Sequence, residues 1–291
     1  MRKSGTGWIM TALLAASIEP IIVKFGYRGN VTPLQLFALK TVFAALLFLP
    51  LAALRKCPWL GLKGIGKLAF VSLLLMGTNL FTLYALKYIS AVTVITVVTT
   101  TPALVAIVNQ SLGREQAEKG FWLAFWLSFS GVILSVELSQ FVVNPIGLAA
   151  MFTAVVTSTV YRVRMEDLTD EFSPLTVSAY TFAIGSLLTL IFLWPFMGSV
   201  PAEAWGLGVW IGMAAGFANL AFLKALNIVG ATRISIIAML QRPLLIIAAA
   251  AVLKEPVTLL QATGIIMVLV GTQMARVRRL PKDGAVPEGN S

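Results

Sequence analysis

The chain has no histidine and a single cysteine, Cys57, in 291 residues. One cysteine excludes a disulfide framework, and the lack of histidine removes the commonest ligand of a transition-metal centre. Charge is sparse as well. Asp, Glu, Lys and Arg make up 12% of the residues, about half of what soluble domains carry. Neither a nucleophile–base constellation nor a phosphate loop is present, and the glycine-rich stretch 206–212 lacks the strand–turn–helix setting of a dinucleotide site. These absences leave no expectation of an enzyme, a metal or a cofactor.

Apolar sequence fills the space. The chain is 58% hydrophobic with a mean hydropathy of +0.89, and runs of about 20 apolar residues are long enough to cross a hydrocarbon core of about 30 Å as helices. Ten such segments are read at 7–27, 33–54, 67–87, 90–111, 119–137, 146–164, 173–196, 205–226, 231–252 and 258–275. The first is interrupted by Glu19-Pro20 and is one of ten alike, so a cleaved signal peptide is not expected.

A net charge of +10 raises the question of nucleic acid, and placement answers it. With these spans, sixteen of the 22 basic residues fall on one side, from Arg2 and Lys3 through Arg55, Arg114, Arg162 and Lys224 to Arg276–Lys282. Four (Lys24, Arg28, Lys87, Lys254) fall on the other, and Lys40 and Arg242 lie within helices. Sixteen against four is a positive-inside bias that puts both termini in the cytoplasm of a multi-pass protein of the cytoplasmic (inner) membrane. The basic charge orients the chain in a lipid bilayer; no nucleic-acid partner is implied.

The pattern Asn-Leu-x-x-Leu-x-Ala-Leu occurs twice, at 79–86 and 219–226, 140 positions apart. Each copy is followed by a small-Ala pair (Ser90-Ala91, Gly230-Ala231), a proline in the next apolar run (Pro102, Pro243) and a basic-acidic pair (Arg114-Glu115, Lys254-Glu255). Such self-similarity marks a duplication. Five helices per copy is an odd number, so the second copy enters the membrane from the opposite side. The expected architecture is all-α, with ten transmembrane helices as two inverted five-helix repeats, 1–138 and 146–276, and a disordered cytoplasmic tail at 281–291. The acidic stretch around Glu166, Asp167, Asp170 and Glu171 is expected to be a solvated cytoplasmic loop.

Two inverted repeats, each closing on Ala-Leu, a small-Ala pair, a mid-helix proline and a Glu opening the last helix, resemble the EamA branch of the drug/metabolite transporter superfamily. The resemblance covers residues 7–275. It implies alternating access and a small organic cargo, commonly exported amino acids, other metabolites or toxic compounds, with protons as a coupling ion and a monomer or homodimer as the working unit. A carboxylate in the first helix resembles the small multidrug-resistance relatives, which implies proton coupling through Glu19. Basic residues on the ninth helix resemble the sugar-phosphate members, which implies anion binding by Arg242.

Polar residues inside the spans carry the site expectations, because such groups are costly in lipid and face the bundle interior or water. Glu19 and Lys40 both lie roughly 10 Å below the outer surface at 1.5 Å per residue, so Glu19 is either a coupling or substrate carboxylate or half of a Glu19–Lys40 pair. Arg242, beside Gln241 and Pro243, binds a substrate carboxylate or phosphate, or else pairs with Glu19. Glu19, Lys40 and Arg242 sum to +1 when ionised, which suits a zwitterionic or anionic cargo. Asn79 and Asn219 sit at mirror-related depths, as gates or as helix cross-links. In Thr99-Thr100-Thr101-Pro102, Thr100 and its neighbours either satisfy carbonyls freed at the proline or line the pocket. Tyr84, Tyr161 and Tyr180 are candidates to grip an organic cargo. The cavity is expected between the first, second, third, fourth, sixth, eighth and ninth helices. Gly208, Gly212 and Gly216 read as a close-packing stripe, Glu115 and Glu255 as helix-start carboxylates, and Trp122, Trp126, Trp194, Trp205 and Trp210 as interfacial anchors.

Overall fold

A computed structural model describes residues 7–15, 31–85, 87–135, 143–244, 246–247, 258–275 and 277–279. The expectations on Glu19, Glu255 and the 281–291 tail lie outside these residues. Helices dominate: α1 (7–15), α2 (Pro33–Leu54), α3 (Leu62–Ala85), α4 (Ala91–Val98), α5 (Thr101–Ser111), α6 (Lys119–Leu134), α7 (Pro145–Glu171), α8 (Pro174–Phe192), α9 (Ala202–Val229), α10 (Ala231–Ile237) and α11 (Leu259–Met274). After α10 comes a 3-10 turn, Ala238–Leu240, and then helical residues again from 241. A short antiparallel ribbon joins β1 (Glu115–Ala117) to β2 (Val277–Arg279). Among the described residues six stretches are long and apolar enough to cross a membrane: Leu34–Leu54, Leu62–Thr82, Thr93–Ser111, Pro145–Glu171, Pro174–Phe192 and Ala202–Val229. Gly120–Leu134 and Leu259–Met274 are apolar but shorter. Leu46, Trp126, Phe152 and Leu187 point outward, as lipid-facing side chains do.

Local chemistry sets the helix starts. Thr32 and Gln35 form a capping box at α2, as do Thr258 and Gln261 at α11. Asn144 and Ser173 accept backbone N–H bonds at α7 and α8. Prolines at 33, 145 and 174 occupy the first helical positions, where the missing N–H leaves no bond unmade.

Two boundaries depart from expectation. Helix α3 begins at Leu62, earlier than 67. Helix α7 runs on to Glu171, so the acidic stretch is not a solvated loop but the last turns of a helix. Its carboxylates stay helical because each has a partner nearby. Glu166, 9% exposed, accepts bonds from Asn109 Nδ2 (3.4 Å) and the Ala231 N–H (3.2 Å). Asp167 pairs with Arg114 at 2.8 Å, and Glu171 with Lys67 at 2.5 Å. Asn109 also donates to Glu115 at 3.1 Å and to Thr232 at 3.2 Å. Glu115 therefore does not open a helix: it lies buried in β1, and Glu118 is the residue that precedes α6, without a side-chain capping bond. This polar cluster ties the end of α5, β1, α7 and the start of α10 together, and pairwise sequence patterns do not reveal it.

The two halves touch through three pairs of equivalent helices, α2 with α8, α5 with α10 and α6 with α11, and through non-equivalent pairs as well. Helix α2 packs on α8 and α9, α3 on α7 and α8, α5 on α10, and α6 on α11. In α6 and α11, Gly131 faces Gly264 while Ala124 faces Gly271, so the two run antiparallel. In α2 and α8, Thr41 meets Thr189 (3.4 Å) while Phe48 stacks on Phe182 (5.7 Å between ring centres), again antiparallel. Helix α9 lies along α2 in the same direction, with Gly208 against Leu39, Gly212 against Phe43 and Gly216 against Phe48. The glycine stripe is thus a packing surface: small residues let backbones approach where lipid offers no hydrophobic drive.

A valine in place of Gly212 would put its Cβ 2.6 Å from Phe43 Cβ and 3.0 Å from the Ala44 nitrogen. Overpacking of this kind costs about 1–3 kcal/mol. In detergent, Gly212→Val should melt clearly below the parent protein. Gly206→Ala, whose Cβ meets nothing within 4 Å, should not. Equal melting temperatures for the two would contradict this packing.

Candidate functional site

Two cavities, of about 300 and 320 Å3, open inside the bundle. The first is walled by α1, α2, α3, α7, α8, α9 and the turn after α10; its polar lining includes Lys40, Asn79, Tyr161, Arg162, Asn219 and Gln241. The second lies between α4–α5 and the region after α10, and includes Thr99, Thr101, Ser235, Gln241 and Arg242. The two share Arg162, Ala238 and Gln241. The seventh segment, α8, therefore lines the first cavity where the fourth was expected, and the fourth serves the second cavity instead.

The second cavity exists because two helices are broken at equivalent places. The fourth segment is interrupted at Thr99–Thr100, and its repeat counterpart becomes 3-10 at 238–240, 140 positions on. Pro102 has no N–H and crowds the carbonyl four residues back, at Val98. Thr101 Oγ1 donates to that carbonyl at 2.6 Å, Thr100 Oγ1 to Val97 at 2.6 Å and Thr99 Oγ1 to Ile95 at 2.7 Å. At Val98 a side-chain hydroxyl thus replaces the ladder bond that Pro102 cannot make, where lipid supplies none, while the Ile95 and Val97 carbonyls also accept the N–H groups of Thr99 and Thr100. Thr99 and Thr101 also face the second cavity, whereas Thr100 lines neither cavity.

The structure brings Lys40, Asn79, Asn219 and Gln241 to one cavity and puts Arg242 in the other. Lys40 Nζ stands 5.4 Å from the centre of the Phe37 ring. Asn79 donates to its own helix at the Leu75 carbonyl (2.7 Å), and Asn219 reaches Ser178 Oγ on α8 (3.2 Å). Among the three tyrosines only Tyr161 lines a cavity. Tyr84 is exposed beside Tyr88, and Tyr180 accepts the Leu60 N–H at 3.4 Å.

Arg162 is the residue the sequence reading missed. Placing the end of the sixth helix at 164 assigned it to the cytoplasmic side, but α7 continues nine residues beyond it. The guanidinium carbon sits 5.3 Å from the centre of the Phe222 ring, and Nη1 donates to Ser235 Oγ at 3.4 Å. Its Nε is buried without a hydrogen-bond partner among the described residues. Neither Arg162 nor Arg242 has a carboxylate within ion-pair distance among those residues. A signal was present: Ser158, Tyr161 and Arg162 stand at i, i+3 and i+4, one polar stripe at the end of the mainly apolar stretch 146–163 of the helix.

The sequence profile of the EamA-like transporter family matches the chain twice, over residues 3–137 and 145–276. The chain belongs to the EamA-like transporter family. It is accordingly a multi-pass membrane transporter of small molecules within the drug/metabolite transporter superfamily, a family of transporters rather than enzymes. No curated protein matches it. Among solved structures 29 chains match. One protein of known crystal structure superposes with a TM-score of 0.77 at 18% identity, over 94% of this chain and 96% of its own. That likeness speaks for the fold of this EamA-like transporter, not for its cargo.

Thr101→Val removes the hydroxyl that serves the Val98 carbonyl and keeps the volume. An unsatisfied buried carbonyl costs about 1–3 kcal/mol, so this variant should melt measurably lower in detergent, and Thr101→Ser should restore most of the loss. A Thr101→Val protein as stable as the parent would show that the hydroxyl is not serving the break.

Proposed function

We propose that this chain is a secondary transporter that exports amino acids or similar amphiphilic metabolites by alternating access. The arrangement is ten transmembrane helices in two inverted five-helix repeats, with both termini in the cytoplasm and the protein in the cytoplasmic (inner) membrane. The antiparallel course of equivalent helices, α2 with α8 and α6 with α11, supports the inversion. Moving Arg162 into the membrane leaves fifteen of the original sixteen basic residues on the inner side against four outside, which still supports the orientation.

The observation that carries the cargo class is the lining of the first cavity. Lys40 and Arg162 face it together with two asparagines and Gln241, among apolar walls that include Phe37, Met76 and Phe182. Charged groups set beside aromatic and aliphatic surface suit a molecule with an anionic head and a hydrocarbon body, and about 300 Å3 suits one of metabolite size. Counting Glu19 as ionised, the charges of Lys40, Arg162 and Arg242 leave a net of +2. That weighs against the reading in which Glu19 drives proton-coupled export of cationic drugs. It favours a second reading, an exchanger of organic anions or sugar phosphates that uses Arg242, whose cavity shares Arg162 and Gln241 with the first. In either reading Lys40, Gln241 and Arg242 recognise charge, Asn79 and Asn219 act as gates, and Glu19 completes the substrate-contacting set.

Proteoliposomes preloaded with L-phenylalanine should take up labelled L-phenylalanine by counterflow, and not labelled phenethylamine. Arg242→Ala should lower that flux at least tenfold. Flux of phenyl phosphate alone would select the anion exchanger, flux of phenethylamine alone the cationic-drug reading, and no flux of any of the three would defeat the transporter reading for this class of compounds.

A further inference from the structure

Lys40 faces only the first cavity and Arg242 only the second, whereas Arg162 faces both. It is the one charged residue among the three that the cavities share. Its present contacts are replaceable: an aromatic face at 5.3 Å, a long bond to Ser235 at 3.4 Å, and a buried Nε with no partner among the described residues. A guanidinium offers five donors in a planar fork that matches a carboxylate or phosphate in bidentate fashion. A cation held inside a membrane span is otherwise paired or functional.

We infer that Arg162 is the receptor for the anionic head of the cargo, a carboxylate or phosphate, and that it passes this head between the two cavities. In the state seen here the guanidinium rests against Phe222 on α9 and Ser235 on α10. An arriving anion takes over the fork, and the hydrocarbon body of the cargo lies along Phe37, Met76 and Phe182 in the first cavity. Handing the head to Arg242 and Gln241 moves it into the second cavity without exposing it to an apolar wall. A centrally placed group reachable from both compartments is what alternating access between two repeats requires. The inference rests on the transporter reading for the passage between cavities, but the binding step stands apart from it.

The test uses the purified full chain in detergent with three probes of matched ring and differing charge: phenylacetate, phenyl phosphate and phenethylamine. Phenylacetate, phenyl phosphate or both should raise the melting temperature in a saturable way, and phenethylamine should not. Arg162→Gln should weaken the apparent affinity for the anions at least tenfold, and Arg162→Lys, a point charge without the fork, should weaken it less. An Arg162→Gln protein that binds the anions as the parent does would overturn the proposal, as would stabilisation of the parent by phenethylamine alone. Should Arg162→Gln fail to fold, phenylglyoxal labelling of the parent protein decides. Anion should protect Arg162 from modification, read by peptide mass spectrometry, and labelling at equal rates with and without anion would overturn the proposal. Protection without carboxylate flux in proteoliposomes would sink the transporter reading and keep the site; flux without protection would do the reverse.

Discussion

In a hydrocarbon layer no water completes a hydrogen bond, so every backbone N–H and C=O must be satisfied by the protein itself. The rest of this structure follows from where that requirement is met by an unbroken ladder and where it is not. Most spans run as continuous helices. Among the described residues the two that do not are repeat equivalents, broken at 99–100 and 238–240. At the first break the threonines Thr99, Thr100 and Thr101 serve the carbonyls of Ile95, Val97 and Val98. Irregular backbone at membrane depth is tolerable where it borders a cavity, and both breaks border the same one. The prolines thus do more than bend helices: they locate the second cavity.

Close approach between halves depends on residues that have almost no side chain. Gly208, Gly212 and Gly216 admit α2 onto α9, and Gly131, Gly264 and Gly271 bring α6 and α11 into backbone contact. Dispersion and shape, not hydrophobic burial, hold such crossings in lipid, so they are sensitive to a single added carbon. The same crossings fix the first cavity, because α2 and α9 supply Lys40 and Asn219 from opposite halves. Duplication provides the frame and its paired asparagines. The charges come from positions the repeats do not share.

Much of the frame was legible in the sequence, because a long apolar run has few structural options and a 140-residue recurrence has one simple origin. The fourth segment with its proline followed from that recurrence, and the glycine stripe from its own four-residue spacing. The acidic end of α7 did not. Glu166, Asp167 and Glu171 read as a solvated loop because composition alone cannot show that Asn109, the Ala231 N–H, Arg114 and Lys67 wait for them on other elements. That single misjudged boundary had a large consequence. It placed Arg162 outside the membrane and left the cavity with one guanidinium fewer than it has. Glu115 was misread for the same reason: its role is set by Asn109, six residues away, and by a ribbon with the far end of the chain.

The weakness of the contacts around Arg162 is informative in itself. A guanidinium locked in a bidentate carboxylate pair inside a span would be structural, since breaking such a pair leaves an uncompensated charge in a poor solvent. Here the ring of Phe222 and one long hydroxyl bond stabilise the cation enough to keep it in place, and both can yield to a better acceptor without leaving a second charge stranded. The buried cluster of Glu166, Asn109 and Glu115 offers the contrast. There several bonds converge from four elements, and the result is a tie between helix ends rather than an exchangeable site. Two polar groupings in one bundle are thus separated by bond count: one holds the fold, and the other leaves donors available for a cargo.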